Sequence, residues 1–244
     1  MSEERVIPMK PMKEEKRKVY YIFSPFLRIF HWIMVVAIVT LFITGLFITK
    51  PPVVLGIEPT YTSFFTNWVR NIHFLAAFTF CAAFILRIYG FIINKGDRLF
   101  PRVWEGHFYR ETLDVALHYM LLKPTHAPFL RNPLARASYA GLYVLVLIEI
   151  LTGFAMFFAK NPNSIGSSLF LWVNVVLCDE MVTHWVHHIV AWLIMVFAIG
   201  HVYMVARADI MEAEGEASSM FSGVKFLEHT PLDACELGKE SERK

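Results

Sequence analysis

Cysteine is scarce in this sequence: only Cys81, Cys178 and Cys235 occur in 244 residues. They form no CxxC pair and no CxxCH site, so zinc ribbons, iron–sulfur clusters and covalently attached haem lack their ligand patterns. The three read as small hydrophobes or exposed thiols. Charge is also low, at 18% of residues with a net charge of +2. That balance carries no basic surplus for a nucleic-acid partner. Residues 1–18 are polar and mixed in charge, without the apolar core that a signal peptide places there. The first apolar run comes later, is too long for a leader, and is expected to stay as a membrane span.

What the chain has in excess is apolar length. Hydrophobic residues make up 56%, and mean hydropathy is +0.46, too apolar for an ordinary soluble domain. Four runs, at about 29–49, 68–93, 137–159 and 185–205, are each long enough for a hydrocarbon core about 30 Å thick. The expected fold is an all-α membrane protein, a four-helix bundle over 21–208, with an N-terminal segment 1–20 and a tail 209–244. The shorter run 168–178 reads as an outer interfacial segment or an early extension of the fourth helix. Residues 110–122, in the loop 95–135, read as a short amphipathic helix on the membrane surface. Basic residues set the orientation. Arg5, Lys10, Lys13, Lys16, Arg17, Lys18 and Arg28 precede the first span, and Lys95, Arg98, Arg102, Arg110, Lys123, Arg131 and Arg136 lie between the second and third. The opposite loops offer only Lys50, Arg70 and Lys160. The basic side stays in the cytoplasm, which puts both termini there. An inner bacterial membrane and its lipid are the expected setting.

Histidines inside spans are costly and need a reason. His31 lies at the inner end of the first span, His73 near the outer end of the second, and His187 and His201 near the outer and inner ends of the fourth. Fourteen residues separate His187 from His201, which is about 21 Å of helix with the side chains within about 40° of each other. One face thus presents two imidazoles at two depths. The pairing follows: His31 with His201 inside, His73 with His187 outside, each pair suited to the iron of a b haem. His188 lies about 220° and His184 about 100° from His201, which favours His187, although a register change at the helix start would promote His184. His107, His118, His126 and His229 read as solvated residues.

The same fourteen-residue step leads from His31 to Gly45 and from His73 to Arg87. A glycine at Gly45 lets a porphyrin approach the backbone. Gly153 repeats the Thr-Gly dipeptide of Thr44-Gly45, for haem clearance or for close helix contact. Arg87 at the inner depth, with Arg28 and Arg70 each three residues before a ligand histidine, can meet haem propionates; snorkelling to headgroups is the alternative for the last two. Glu149, the one carboxylate deep in a span, reads as a proton-path residue, a histidine partner or a neutral buried acid. Tyr203, Arg207 and Asp209, with the region near His31, mark the inner end as the place for a quinone.

Arg28-x-x-His31-Trp32, Thr44-Gly45, Arg70-x-x-His73, Thr152-Gly153 and the His187/His201 spacing together resemble the b-type cytochrome subunit of membrane-bound nickel–iron uptake hydrogenases. The resemblance runs from about Tyr20 to Arg207 and includes Tyr21-x-Phe23-Ser24-Pro25. Gamma subunits of respiratory formate dehydrogenases share the scheme and stand as the alternative. The resemblance implies two b haems and a quinone acceptor. It also implies two partners: a nickel–iron large subunit that performs the hydrogen chemistry and an iron–sulfur small subunit that delivers the electrons.

Overall fold

The computed structural model describes residues 17–51, 64–93, 106–124, 129, 132–211 and 214–227. His126, His229 and Cys235, and most basic residues of the N-terminal segment and inner loop, lie outside them.

Four long helices carry the fold: α1 (Pro25–Thr49), α2 (Phe64–Ile93), α4 (Pro133–Ala159) and α7 (Glu180–Met211). All four are long and apolar enough to cross a membrane. The shortest has 25 residues, about 37 Å of helix at about 1.5 Å per residue. Their surfaces are apolar on the outside as well as the inside: Val36, Ile85, Leu75 and Val196 all point outward. That is the signature of helices solvated by lipid, where the backbone satisfies itself and the outer face needs no polar cover.

Two of these helices start with the same device. Ser24 Oγ accepts from Leu27 N at 3.2 Å with Pro25 at the first turn. Asn132 Oδ1 accepts from Leu134 N at 2.9 Å with Pro133 in the equivalent place. A side-chain cap meets the orphan amides, and proline lacks the N–H that would need one. The likeness extends along the chain. Twenty residues lead from Pro25 to Gly45 and from Pro133 to Gly153, and fourteen from His73 to Arg87 and from His187 to His201. Helices α1–α2 and α4–α7 are thus two halves built on one plan.

Packing follows the halves. Helix α1 lies closely along α2, and α4 along α7, while contact between the two pairs is sparse. The pairs meet at mid-depth, where Ala37, Phe80, Phe84, Val146, Val190 and Ile194 form the apolar core. On one side of that plug the pairs part around a cavity lined by all four long helices, and on the other α1 and α7 meet at His31 and His201.

The shorter elements differ from the sequence expectation in three places. Helix α3 spans Gly106–Tyr119, where a helix over 110–122 was expected, and packs on α4. Its His118 is not solvated: it is buried, and Nδ1 donates to Lys123 O at 3.1 Å. The run 168–178 forms two short helices, α5 (Ile165–Phe170) and α6 (Trp172–Val176), rather than an extension of α7. Cys178 breaks the path with φ of 71°, a left-handed conformation. Thr183 Oγ1 then ties α7 back to α6 by donating to Asn174 Oδ1 at 2.8 Å.

The third difference is at the chain ends. Strand β1 (Lys18–Tyr21) pairs antiparallel with β2 (Val224–Leu227), and α8 (Glu216–Ser222) lies just before β2. Residues 214–227 therefore return to the bundle as a cap. Leu227, Tyr20 and Ile22 form its small apolar core. Lys225, 2% exposed, is held by Glu214 at 3.1 Å, by Glu216, and by Phe129 O at 3.2 Å. Burial pulls its pKa down, but the two carboxylates outweigh burial and hold it above the ordinary lysine value. A raised pKa contributes stability that is complete below the unfolded lysine pKa of about 10.4 and is lost as pH rises through the folded value. The cap is therefore expected to resist proteolysis evenly from pH 7 to about 10 and to loosen only above that. Lys225→Ala, which strands two carboxylates, is expected to cost on the order of 3 kcal/mol locally. The measurement is faster amide exchange over 214–227 with the spans unchanged.

Candidate haem sites

The inner site lies where α1 and α7 approach each other below the plug. His31 and His201 face each other with ring centroids 6.3 Å apart and planes at 59°. His31 Nδ1 is buried without a hydrogen-bond partner among the described residues. Phe197 stacks on His201 at 6.0 Å, and Tyr139 meets it edge-on at 6.4 Å. In the two-halves plan, Tyr139 is six residues after Pro133 as His31 is six after Pro25. Arg87 occupies the place that His201 has in the other half. It is 2% exposed, donates from Nε to Tyr143 Oη at 3.1 Å and lies over the Phe30 ring.

The outer site is more nearly symmetric. His73 and His187 line one cavity of about 370 Å³ together with Gly45, Arg70, Glu149, Gly153, His184 and His188. Such a volume falls within the range of about 300–1,000 Å³ usual for small-molecule and cofactor sites. His73 Nδ1 lies 2.8 Å from Thr44 Oγ1, and His187 Nδ1 lies 3.0 Å from Thr152 Oγ1. The neighbouring glycines make room for the same two rings. A Cβ on Gly45 would stand 3.7 Å from His73 Cε1, and one on Gly153 only 3.2 Å from His187 Cε1. Glu149 Oε1 meets His187 Nε2 at 3.2 Å, while its Oε2 is buried without a partner among the described residues.

The other residues singled out from the sequence are spread more widely. His184 and His188 are exposed on the cavity side of α7, and His188 Nε2 accepts from Trp192 Nε1 at 3.2 Å. Arg28 donates from Nη1 to Phe221 O and so anchors α8. Trp32 does the same, donating to Met220 O at 3.2 Å, while its ring meets His31 edge to face at 5.3 Å. Tyr203 points outward, Arg207 lies over the Tyr119 ring at 5.3 Å, and Asp209 Oδ2 accepts from Ala217 N at 3.1 Å in the first turn of α8. Thr44, Thr152, Tyr139 and Trp32 had no assigned role from sequence. The repeated Thr-Gly dipeptide was the signal for the first two.

Half-buried imidazoles, one pair facing each other and one pair lining a shared cavity in a bundle of membrane-spanning helices, are the arrangement of a membrane cytochrome of the b type. The chain belongs to the prokaryotic cytochrome b561 family, which matches residues 22–223. It is 33% identical over 221 residues to a protein of Escherichia coli K12 named probable Ni/Fe-hydrogenase 1 B-type cytochrome subunit, covering 84% of this chain and 90% of that one. It is 32% identical over 222 residues to a probable Ni/Fe-hydrogenase B-type cytochrome subunit of Rhizobium leguminosarum bv. viciae, covering 88% and 92%. A protein of the same name from Cupriavidus necator is 32% identical over 214 residues, with 85% and 87% covered.

The family implies b-type haem, and the residues present fit it. Two imidazoles that share one metal through bonds of about 2 Å have ring centroids roughly 6 Å apart, which is the separation of His31 and His201. At the outer level, two glycines keep the helix backbone clear beside two histidines. Arg70 and Lys160 line the same cavity and would supply cations for propionates. Were His187 to bind haem iron through Nε2, that bond would take the place of the Glu149 contact.

The two glycines differ in tolerance. Gly45→Ala makes only an ordinary contact with His73 and is expected to leave the absorption spectrum and haem content unchanged. Gly153→Ala displaces the His187 ring by a few tenths of an ångström. It is expected to lower haem content in the purified protein, read from the Soret band per mole of chain.

Proposed function

We propose that this chain is the membrane-anchoring di-haem cytochrome b subunit of a periplasmic nickel–iron hydrogenase. It would pass electrons from hydrogen oxidation across the inner membrane to the quinone pool. The observation that carries the reading is the arrangement of four histidines in two pairs at two depths, on a chain whose relatives are named as hydrogenase cytochrome subunits. Haem iron supplies one-electron storage at each level. The chain's own residues do the rest. His31 and His201 would ligate the inner haem, and His73 and His187 the outer. Thr-Gly pairs set the outer rings, and the apolar plug keeps water and ions out of the space between the levels. Arg70 and Arg87 would balance propionate charge at the two levels, with Arg28 at the inner interface.

The partners in this reading are the iron–sulfur small subunit and the nickel–iron large subunit on the outer side. The hydrogen chemistry stays on the large subunit. The quinone would bind at the inner end, near His31, Trp32, Arg207 and Asp209. Tyr203, on the lipid side, would line its approach. A groove between α1 and α2 reaches from Thr40 and Thr79 to Arg28, Trp32 and Phe221, and its open side would face lipid. A quinone diffusing in the bilayer would meet Trp32 there, one ring away from His31. Both termini would be cytoplasmic, in line with the basic residues of the inner loop.

A pyridine haemochrome assay is expected to give two haems per chain. His31→Ala or His201→Ala is expected to remove the inner one alone, and His73→Ala or His187→Ala the outer one alone. Retention of both haems in His187→Ala would move the ligand to His184 or His188. In proteoliposomes with the hydrogenase subunits, hydrogen and a quinone are expected to generate a membrane potential. Quinone reduction without a potential would overturn the transmembrane direction.

A further inference from the structure

The two imidazole pairs have different surroundings on the side away from the cavity. Thr44 Oγ1 lies 2.6 Å from Thr40 O and 3.2 Å from Leu41 O on its own helix. Thr152 Oγ1 lies 2.7 Å from Ile148 O and 3.2 Å from Glu149 O. Carbonyl oxygens only accept, and a hydroxyl has a single hydrogen. Each threonine hydrogen is therefore committed to the helix. What each hydroxyl offers its histidine is a lone pair, so Nδ1 of His73 and of His187 must donate. Both rings then turn Nε2, with its lone pair, toward the cavity. Thr44 is 7% exposed and Thr152 1%, so no water competes for these bonds.

The inner pair lacks this support. His31 Nδ1 has no hydrogen-bond partner among the described residues. His201 stacks flat on Phe197 and meets Tyr139 edge-on.

A hydrogen bond from the far nitrogen of a ligating imidazole raises the basicity of the ligand, and a more basic ligand favours the oxidised, more positive iron. We infer that Thr44 and Thr152 are positioning residues that lower the potential of the outer haem relative to the inner one, so that electrons run downhill from the outer face to the inner. This rests on the di-haem reading above. The two halves of the chain share the device at the outer level. They diverge at the inner level, where Tyr139 and Arg87 stand in the places of histidines.

The test is a redox titration of the full-length purified cytochrome, wild type and with Thr44→Val, Thr152→Val and both together. Valine keeps the shape of threonine and removes the hydroxyl. The outer component is identified as the one absent from His187→Ala. The expected result is an upward shift of the outer midpoint, larger in the double variant, with the inner midpoint fixed. Thr→Ser, which restores a hydroxyl, is expected to return the outer midpoint to the wild-type value. Unmoved midpoints at full haem content, or an equal shift of both, would overturn the inference. If valine removes the outer haem, serine must restore both the haem and its potential; loss in the serine variants as well would also overturn it. A wild-type protein with fewer than two haems would overturn the di-haem reading itself, and the inference with it.

Discussion

An imidazole inside a hydrocarbon layer has no water to bond, so a nitrogen that finds neither a partner in the protein nor a metal is left unpaired at a cost. A helix offers little, because its own amides and carbonyls are already paired. Threonine is the exception. Its hydroxyl can return its hydrogen to the carbonyl one turn back and still present a lone pair sideways. Thr44 and Thr152 do this at the same depth on α1 and α4. Much else follows from it. The rings of His73 and His187 are held in place, glycine leaves room beside each one and is needed for space at Gly153, and the facing helices must approach closely within each half. The sparse contact between halves is the complement, since the space that the rings face cannot be filled by side chains.

The four spans were legible because the membrane imposes a length and a composition that few other constraints share. The nearness of His31 to His201, and the cavity shared by His73 and His187, were legible for a similar reason: a rigid helix turns a sequence interval into a depth and a direction. Helix starts at Pro25 and Pro133 came out earlier than the apolar runs suggested, because caps are set by single polar residues rather than by hydropathy. The hydroxyl–imidazole bonds were not legible. Thr44 and His73 sit on different helices, and sequence alone does not say which helix faces which. His118 was misjudged because a loop histidine looks solvated until the carbonyl of Lys123 closes over it.

The cap was the largest omission. Strands β1 and β2 are short, and neither carries enough alternation to stand out. Their pairing joins segments about 200 positions apart, and nothing local announces it. Glu214, Glu216 and Lys225 looked like tail charges. Buried together they form an ion cluster whose loss would open the inner face. Arg28 and Trp32 gain a second duty from the same arrangement, because their side chains hold α8 by its carbonyls. The quinone candidates Arg207 and Asp209 are likewise engaged in structure, the one over Tyr119 and the other at the start of α8. A variant at either position will disturb the cap as well as any ligand, and the two effects have to be separated.

The strand register carries an implication for biosynthesis. Tyr21 pairs with Val224, so the first strand leaves the ribosome long before its mate exists. At about 5–20 residues per second, the wait is roughly 10–40 s. All four helices have been translated by then. Closure of the cap therefore follows translation of all four spans, and its contacts with Arg28 and Trp32 at the start of α1 can form only once the segment before β2 has been made.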